Sequence, residues 1–143
     1  MSIVLDTSVL VEVLQDSQAG RSARPILSAH AGQIHIPELA VVEVVSALRG
    51  LCRGGQINPV LAEQILTDFS DFPARRWPMD TLIPRVWALR DAVTSYDAVY
   101  IALAEELGAT LVTMDARLYR GALPLAQCPV RLIPDQQPSR QAN

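Results

Sequence analysis

Short apolar runs, rich in β-branched residues, alternate with longer segments of helical length along the chain. The first run, Ile3–Leu5, and a later one at residues 110–114 are each followed by residues that commonly begin a helix. Strands this short and this apolar are typical of a parallel sheet that helices cover on both faces. The alternation therefore predicts an α/β fold.

Turn and capping residues set the bounds of the expected elements. Strands are expected at residues 3–5, 34–36, 75–79, 110–114 and 130–133. Helices are expected at residues 9–14, 21–32, 39–52, 58–72, 81–92 and 96–107, with a turn or short helix at 115–119. Ser95 is expected to cap one of these helices and Gly108 to close it. We expect one domain over residues 1–134 and a polar tail over 135–143 that frays.

The composition limits the class of protein. A chain of 143 residues suits one domain, and its net charge of −3 is not the strong positive field of a protein that coats nucleic acid. All the basic residues are Arg, which excludes mechanisms that need a catalytic lysine. Cys52 and Cys128 are isolated and are expected to be free thiols. We see neither a signal-peptide pattern nor a membrane-spanning apolar run, so we expect a cytoplasmic protein with no membrane association.

Four acidic residues stand in apolar surroundings. Asp6 and Asp115 directly follow predicted strands, and ligands of open parallel sheets bind at the carboxyl ends of strands. Asp97 lies in the first turn of an apolar helix, and Glu43 interrupts a run of Leu, Ala and Val. An unpaired buried carboxylate costs free energy. The closest basic residue to Glu43 is Arg49, which lies off its helix face.

Carboxylates that meet in one place repel each other, by about 4 kcal/mol for a pair about 4 Å apart at an effective dielectric constant of about 20. A divalent cation removes that cost, and oxygen ligands without His or Cys favour Mg²⁺ or Mn²⁺ over Zn²⁺. Such an ion lowers the pKa of bound water and stabilises charge on a phosphate. The acidic set therefore indicates hydrolysis of a phosphodiester.

Each of these acids also has a purely structural explanation. Asp6 and Asp115 stand where residues cap helices, and Asp97 is a first-turn acid of the kind that the helix dipole favours. Glu43 could lie on a bent or exposed helix edge. Singly, none of the four indicates a site, whereas their order and context together favour one.

Other residues are weaker candidates. Thr113 and Ser8 could hydrogen-bond the carboxylates or a phosphate, or be ordinary strand and helix-start residues. Arg49 and Arg53, one helical turn apart, fit a solvated face better than an RNA contact. The two tryptophans fit packing better than base stacking.

Four sequence blocks spread over nearly the whole chain carry a family resemblance. They are IVLDTSVL at 3–10, the stretch from Pro37-Glu38-Leu39 through Glu43 to Arg49, SYDAVYIALA at 95–104 and LVTMDARL at 111–118. The Ser-Tyr-Asp-Ala and Val-Thr-x-Asp motifs are fairly specific when they occur together. On these blocks the chain resembles the PIN-domain ribonucleases, and most of all the toxin half of the virulence-associated-protein BC toxin–antitoxin pairs.

The resemblance implies a three-layer α/β/α sandwich with a central parallel sheet of about five strands. It implies that Asp6, Glu43, Asp97 and Asp115 are the catalytic residues and that the three aspartates bind Mg²⁺, with Mn²⁺ as the other possible ion. Asp115 would bind the metal directly or through water. Glu43 would ligate a metal or orient the attacking water. Thr113 matches a family position that often carries Ser or Thr near the site.

The resemblance also implies partners. The substrate would be tRNA, rRNA or mRNA, cut by a metal-dependent endoribonuclease. The chain would form a homodimer and, with a small antitoxin whose tail occupies the active-site groove, a heterotetramer or larger complex. Residues 55–90 match the family least, so the choice of RNA and antitoxin is least predictable.

Two other functions compete with the nuclease. A phosphoryl-transfer enzyme or receiver domain of another α/β family is disfavoured because Ser8 stands where dehalogenase-type enzymes need a second Asp. The lysine that both classes use is also missing. A non-catalytic protein-binding module with a PIN-like fold, whose acids serve only as caps, is the alternative that stays open.

Overall fold

The computed structural model of the protein describes residues 1–134, in which helices cover a parallel five-stranded sheet. The strands are β1 (Ile3–Leu5), β2 (Ile34–Pro37), β3 (Arg75–Trp77), β4 (Thr110–Thr113) and β5 (Val130–Leu132). The α-helices are α1 (Thr7–Leu14), α2 (Gln18–Ala29), α3 (Leu39–Arg53), α4 (Pro59–Ser70), α5 (Ile83–Ala88), α6 (Ser95–Leu107) and α7 (Ala116–Ala122).

The strand order is β3-β2-β1-β4-β5. The chain runs outward from β1 to β3, then crosses back and adds β4 and β5 on the other side of β1. Because crossovers between parallel strands are right-handed, α1 to α4 lie on one face of the sheet and α5 to α7 on the other. The packing agrees, since α1 contacts α2 and α3, whereas α6 contacts α5 and the strands β1, β2 and β4. The α/β/α sandwich with about five parallel strands is thus confirmed.

Burial follows the position of a strand in the sheet. All three residues of the central strand β1 are buried, as are Leu111 and Val112 of its neighbour β4. The edge strand β3 instead exposes Arg75 and Arg76. Charged side chains on a short edge strand discourage pairing with another sheet.

Helix α6 lies over the centre of the sheet and positions part of the site. The Thr94 side chain caps it by accepting a hydrogen bond from the backbone N–H of Asp97 at 3.2 Å. Gly108 closes it at φ 60°, a left-handed conformation that suits glycine. The expectation that Ser95 is the cap is wrong by one residue, because Thr94 has the extended backbone of a cap and Ser95 is the first helical residue.

The expected helix at 81–92 is also corrected. The chain forms a 3₁₀ turn (Asp80–Leu82), then the short α5, and then leaves the helical conformation before residue 92. The Arg90 guanidinium donates to the Trp87 carbonyl at 3.0 Å, which satisfies a carbonyl at the helix end. The helix expected at 21–32 begins earlier, because Ser17 caps it by accepting from the N–H of Gly20 at 3.0 Å.

Some expectations concern the ends and the compartment of the chain. Residues 135–143, expected to fray, lie outside the described residues. Cys52 and Cys128 are both free, as expected. Within residues 1–134, no helix has the length and apolar character to cross a membrane.

Candidate active site

The candidate site lies where the strand order reverses. β1 and β4 are neighbours in the sheet, but the chain visits β2 and β3 between them. Loops that leave the carboxyl ends of two such strands go to opposite faces and open a crevice, which is where ligands of open α/β sheets bind. Asp6 directly follows β1 in this crevice, and Asp115 stands two residues after the end of β4.

Asp6 is a buried carboxylate at the start of α1. Only 6% of its surface is exposed. Its Oδ2 atom accepts hydrogen bonds from the Ser8 hydroxyl at 2.6 Å, from the Thr113 hydroxyl at 2.9 Å and from the Ser8 backbone N–H at 3.4 Å. Burial raises the pKa of Asp6, and the bonds from Ser8 and Thr113 oppose that rise. Asp6 therefore caps α1, which agrees with the purely structural explanation given for it above. Capping does not require a buried side chain, however, and the burial of this carboxylate disfavours its charged form.

Ser8 and Thr113 connect the ends of the two strands. The Ser8 hydroxyl oxygen accepts from the backbone N–H of Met114 at 3.0 Å, and the Thr113 hydroxyl oxygen accepts from that of Asp115 at 3.0 Å. Each hydroxyl thus takes a backbone donor from the loop after β4 and donates to Asp6. The two side chains fix the position of Asp6 relative to Asp115, as their predicted hydrogen bonding to a carboxylate suggested.

Asp115 is the cap of α7. Its Oδ1 atom accepts from the backbone N–H of Arg117 at 2.9 Å and of Leu118 at 3.3 Å. The capping explanation is thus correct for Asp115 as well. Its negative charge is also near enough to Asp97 to raise the pKa of that residue.

Glu43 reaches the same region from α3 and is held by two hydroxyl groups. The Tyr100 hydroxyl donates to Glu43 Oε1 at 2.6 Å, and the Thr7 hydroxyl lies 3.3 Å from the same oxygen. Tyr100 is 1% exposed, so its hydroxyl has been taken out of water to make this bond. Burial is the first cause of a raised pKa of Glu43, and the negative charge of Asp6 adds to it against the bond from Tyr100.

Asp97 approaches from the first turn of α6 and is half-buried. Burial raises its pKa, and the charges of Asp6 and then Asp115 raise it further. The capping bond from Thr94 and the positive charge of Arg117 act in the opposite direction. A first-turn acid that only met the helix dipole would have a lowered pKa, so Asp97 is held in its place against an electrostatic cost.

The fold brings each of the four predicted acids within electrostatic range of at least one of the others. Asp6 acts on both Glu43 and Asp97, and Asp115 acts on Asp97. Among residues 1–134, however, no three His, Cys, Asp or Glu side chains stand in positions that could hold a metal ion as they are. The donor set still suits Mg²⁺, which keeps several waters and commonly takes only one or two protein carboxylates.

Two open clefts flank the acids. A cleft of about 450 Å³ lies beside Thr7 and Ser8 and is lined mostly by apolar side chains, among them Val11 and Met114. A second cleft of about 360 Å³ lies on the other side, and Asp97, Arg90 and Arg117 line it. An extended ligand could therefore pass the acids on both sides.

The other weaker candidates, the two arginines of α3 and the two tryptophans, line neither cleft. Arg49 and Arg53 are exposed on α3 and line neither cleft, which agrees with a solvated face. Trp77 is partly buried and its indole N–H donates to His35 Nδ1 at 2.9 Å, so it packs as expected. Trp87 is not packed in the core as expected, because it is 67% exposed, and the Arg90 guanidinium stacks on it at 4.7 Å.

Sequence reasoning missed Thr7 and Tyr100. Tyr100 lies one helical turn after Asp97, in a stretch of buried Ala, Leu and Ile where an aromatic residue reads as core. The available signal was its hydroxyl, since a buried Tyr usually finds a hydrogen-bond partner. In the sequence, Thr7 looks like an ordinary helix-start residue, and nothing indicates that its side chain contacts the site.

Known proteins resemble this chain over most of its length. The sequence profile of the PIN domain matches residues 3–123. The curated relatives include Ribonuclease VapC9 of Mycobacterium tuberculosis, 35% identical over 92% of this chain and 98% of that protein, and Ribonuclease VapC12 of the same species, 35% identical over 81% and 88%. Among solved structures, the DNA-bound VapBC from Salmonella typhimurium superposes with a TM-score of 0.68 and 14% identity, over 92% of this chain and 97% of that one. The structural likeness at that identity shows the fold alone.

Proposed function

This chain belongs to the PIN-domain family, and from that premise we propose that it is a divalent-metal-dependent endoribonuclease, the toxin of a type II toxin–antitoxin pair. Its relatives at 35% identity over most of the chain are ribonucleases by name. The observation that carries the proposal is the buried carboxylate of Asp6, with a raised pKa, at the crevice between β1 and β4. A fold that keeps Glu43 and Asp97 beside such a group gains from a bound cation.

Asp6, Asp97 and Asp115 are the residues proposed to hold the ion, and Mg²⁺ is the ion that their oxygen atoms favour, with Mn²⁺ as the second candidate. When bound, the ion lowers the pKa of water and stabilises the charge that develops on the phosphate. Because the side chains do not form a closed cluster within residues 1–134, water would complete the coordination. Such a site leaves positions for substrate oxygens.

The surrounding residues keep these acids in place. Ser8 and Thr113 occupy Oδ2 of Asp6 with hydroxyl donors, which fixes the orientation of that carboxylate. Tyr100 and Thr7 do the same for Oε1 of Glu43. The role proposed for Glu43 is to accept a hydrogen bond from the attacking water and orient it, and its raised pKa makes it a better proton acceptor than an ordinary glutamate.

RNA and an antitoxin are the partners that this proposal includes. The relatives named ribonucleases support RNA as the substrate. One structural neighbour is a toxin–antitoxin complex from Klebsiella pneumoniae and another is the DNA-bound VapBC, and both support an antitoxin partner. The surface exposes large apolar side chains that suit protein contacts. They include Val42, Val60, Ile83 and Trp87. We propose a homodimer that binds a small antitoxin.

The first experiment is cleavage of total cellular RNA by the purified protein with Mg²⁺, with Mn²⁺ and with a chelator. Asp97→Asn keeps the size of the side chain and removes its charge, so we expect it to fold and to lose at least about 100-fold in cleavage rate. Asp71→Asn, an exposed acid after α4, is the matched control and should cleave like the parent.

Discrete fragments that require the metal and disappear with Asp97→Asn would support the nuclease. Cleavage that survives both the chelator and Asp97→Asn would contradict the metal site. The acids would then serve as helix caps, and the non-catalytic binding module would become the better explanation.

A further inference from the structure

The cleft on the Asp97 side of the site carries two arginines that the proposed chemistry does not use. Arg117 lies in the first turn of α7, two residues after Asp115, and Arg90 lies between α5 and α6. Both line the same open cleft of about 360 Å³ as Asp97. The cleft thus joins positive side chains directly to the acidic centre.

Arg117 is close to the acids without being paired to them. It is exposed, and its positive charge lowers the pKa of Asp97. Within residues 1–134, however, its guanidinium forms neither an ion pair nor a side-chain hydrogen bond. Arg85, by contrast, forms a two-pronged pair with Glu105, with Nε–Oε2 at 2.9 Å and a terminal nitrogen to Oε1 at 3.1 Å. The five donors of Arg117 are therefore available to a ligand in the cleft.

Arg90 lines the same cleft and is held by Trp87. Its guanidinium donates to the Trp87 carbonyl at 3.0 Å and stacks on the Trp87 ring at 4.7 Å. The nearest carboxylate, that of Asp91, is 3.9 Å away and its side chain is 90% exposed, so this pair is weak. The stacking restricts the positions of the guanidinium, but it does not neutralise the positive charge.

These positions fit the charge of an RNA strand. The acids repel a polyanion, and a metal at the acids compensates only for the phosphate that reacts. Arginine binds phosphate through parallel N–H donors and is more weakly hydrated than lysine. We propose that Arg117, assisted by Arg90, binds a backbone phosphate of the RNA next to the one that is cleaved. This inference rests on the proposed ribonuclease function and adds a substrate-binding subsite to it.

The experiment measures RNA affinity rather than cleavage. The parent is the full chain with Glu43→Gln, which keeps the RNA intact and leaves the cleft unchanged. The probe is a 5′-labelled, randomised RNA of about 12 nucleotides in about 5 mM Mg²⁺, titrated by fluorescence anisotropy at several salt concentrations so that phosphate contacts can be measured. The variants are Arg117→Gln and Arg90→Gln. Arg120→Gln is the matched control, because Arg120 is an exposed arginine of α7 that does not line the cleft.

Each phosphate contact to a single strand contributes about 0.7 to the slope of log affinity against log salt concentration. We expect Arg117→Gln to lower that slope by about 0.7 and to weaken binding about three- to tenfold. Arg90→Gln should act in the same direction, and Arg120→Gln should match the parent. Unchanged melting temperatures would show that the loss comes from binding and not from folding.

The outcomes separate this inference from the function on which it rests. If the wild-type chain cleaves RNA but Arg117→Gln keeps the slope and affinity of its parent, the subsite is refuted and the nuclease stands. The same holds if Arg120→Gln loses as much RNA affinity as Arg117→Gln, because the effect would then be a general electrostatic attraction between the protein and RNA. If the parent does not bind the RNA at all, the subsite is refuted whatever the cleavage assay gives.

Discussion

At the scale of single residues, the site is built from side chains that also have ordinary structural roles. Asp6 caps α1 and Asp115 caps α7, so both would be acceptable in a protein without any activity. What capping does not explain is the burial of Asp6 and the upward shifts in the pKa of Asp6, Glu43 and Asp97. Folding thus bears an electrostatic cost at one place, which is typical of a site that is completed by a ligand.

Tyr100 offers a test of how Glu43 is positioned. Tyr100→Phe removes only the hydroxyl that donates to Glu43 Oε1 at 2.6 Å. A half-buried carboxylate then loses its main donor, so we expect the free energy of unfolding to fall by about 1–2 kcal/mol. We also expect RNA cleavage to slow by about tenfold, because Glu43 would no longer be held. Urea denaturation and initial cleavage rates in Mg²⁺ measure the two effects.

Tyr119→Phe is the control for that substitution. Tyr119 is a partly buried tyrosine of α7 that forms no side-chain hydrogen bond within the described residues. The Tyr119→Phe protein should retain the stability and the cleavage activity of the wild type. A Tyr100→Phe protein with full cleavage activity would show that Glu43 works without its tyrosine, and Tyr100 would be a core residue only.

The residues of the site were predictable where position in the sequence carried the signal. An acid directly after an apolar strand, or inside an apolar helix, is visible without a structure, and the resemblance joined Asp6, Glu43, Asp97 and Asp115 into one set. The roles of these four stay predictions, although the fold does bring them together. Tyr100 could not be assigned because its partner, Glu43, lies 57 positions away. Only the tertiary structure shows that the two meet.

At the scale of elements, the approach of α1 and α2 depends on one glycine. A Cβ atom on Gly20 would lie 2.1 Å from the backbone oxygen of Glu12, so the two helices meet with no room for a side chain. Helix α1 carries Thr7 and Ser8 at its start, and it packs against α2. The position of two site residues therefore depends on a close helix–helix contact outside the site.

Gly20→Ala should therefore destabilise the protein, although alanine is the better helix former. We expect the free energy of unfolding to fall by about 2–3 kcal/mol, because the backbone oxygen of Glu12 cannot move aside as a flexible side chain could. Gly50→Ala is the matched comparison, since Gly50 lies in α3 and a Cβ atom added there would meet nothing within 4 Å. The free energy of unfolding of Gly50→Ala should rise by about 0.5–1 kcal/mol. Thermal or urea unfolding of the two variants measures both, and a stabilised Gly20→Ala protein would contradict the close contact.

The elements themselves were largely predictable, and the errors have physical reasons. The sequence predicts all five strands, and the buried ones are recognisable by their apolar runs because burial on both faces leaves a strong signal. The helix expected at 81–92 is broken up, since Arg90 turns back to the Trp87 carbonyl and α5 ends early. The sequence predicts the start of α2 too late because the Ser17 cap precedes a stretch with few apolar residues. Boundaries thus depend on single hydrogen bonds that a hydrophobic pattern does not record.

At the scale of the whole molecule, the topology explains why four acids from distant parts of the chain meet. The reversal of strand order beside β1 brings the ends of β1 and β4 together, with α6 on one face and α3 on the other. The sequence predicted strands and helices but not which strands are neighbours; the strand order followed from neither composition nor spacing. The repulsion among the acids is consequently a property of the complete fold and is absent from the unfolded chain.

That repulsion predicts how stability changes with pH in the absence of metal. The pKa of Asp97 is raised above its ordinary value of 3.8, so the folded protein holds this proton to a higher pH than the unfolded chain does. Between 3.8 and the raised value, the folded state binds more protons, and the free energy of unfolding falls as the pH rises. Asp97→Asn, which carries no charge, escapes this loss. In a chelator at pH 7 we therefore expect it to melt roughly 2–4 °C above the wild type, and this advantage should shrink as the pH falls toward about 4.

Metal should reverse the order of the two proteins. An ion that binds only the folded state at about ten times its dissociation constant adds about 1.4 kcal/mol to the stability of the wild type. Asp97→Asn lacks one of the proposed metal ligands, so the metal should stabilise it less than it stabilises the wild type. Melting curves of both proteins at pH 7, with a chelator and then with rising Mg²⁺, measure the crossing. Two proteins that melt alike in the chelator at every pH would show that the charge of Asp97 costs the fold nothing, and the electrostatic argument for a cation at this crevice would fail with it.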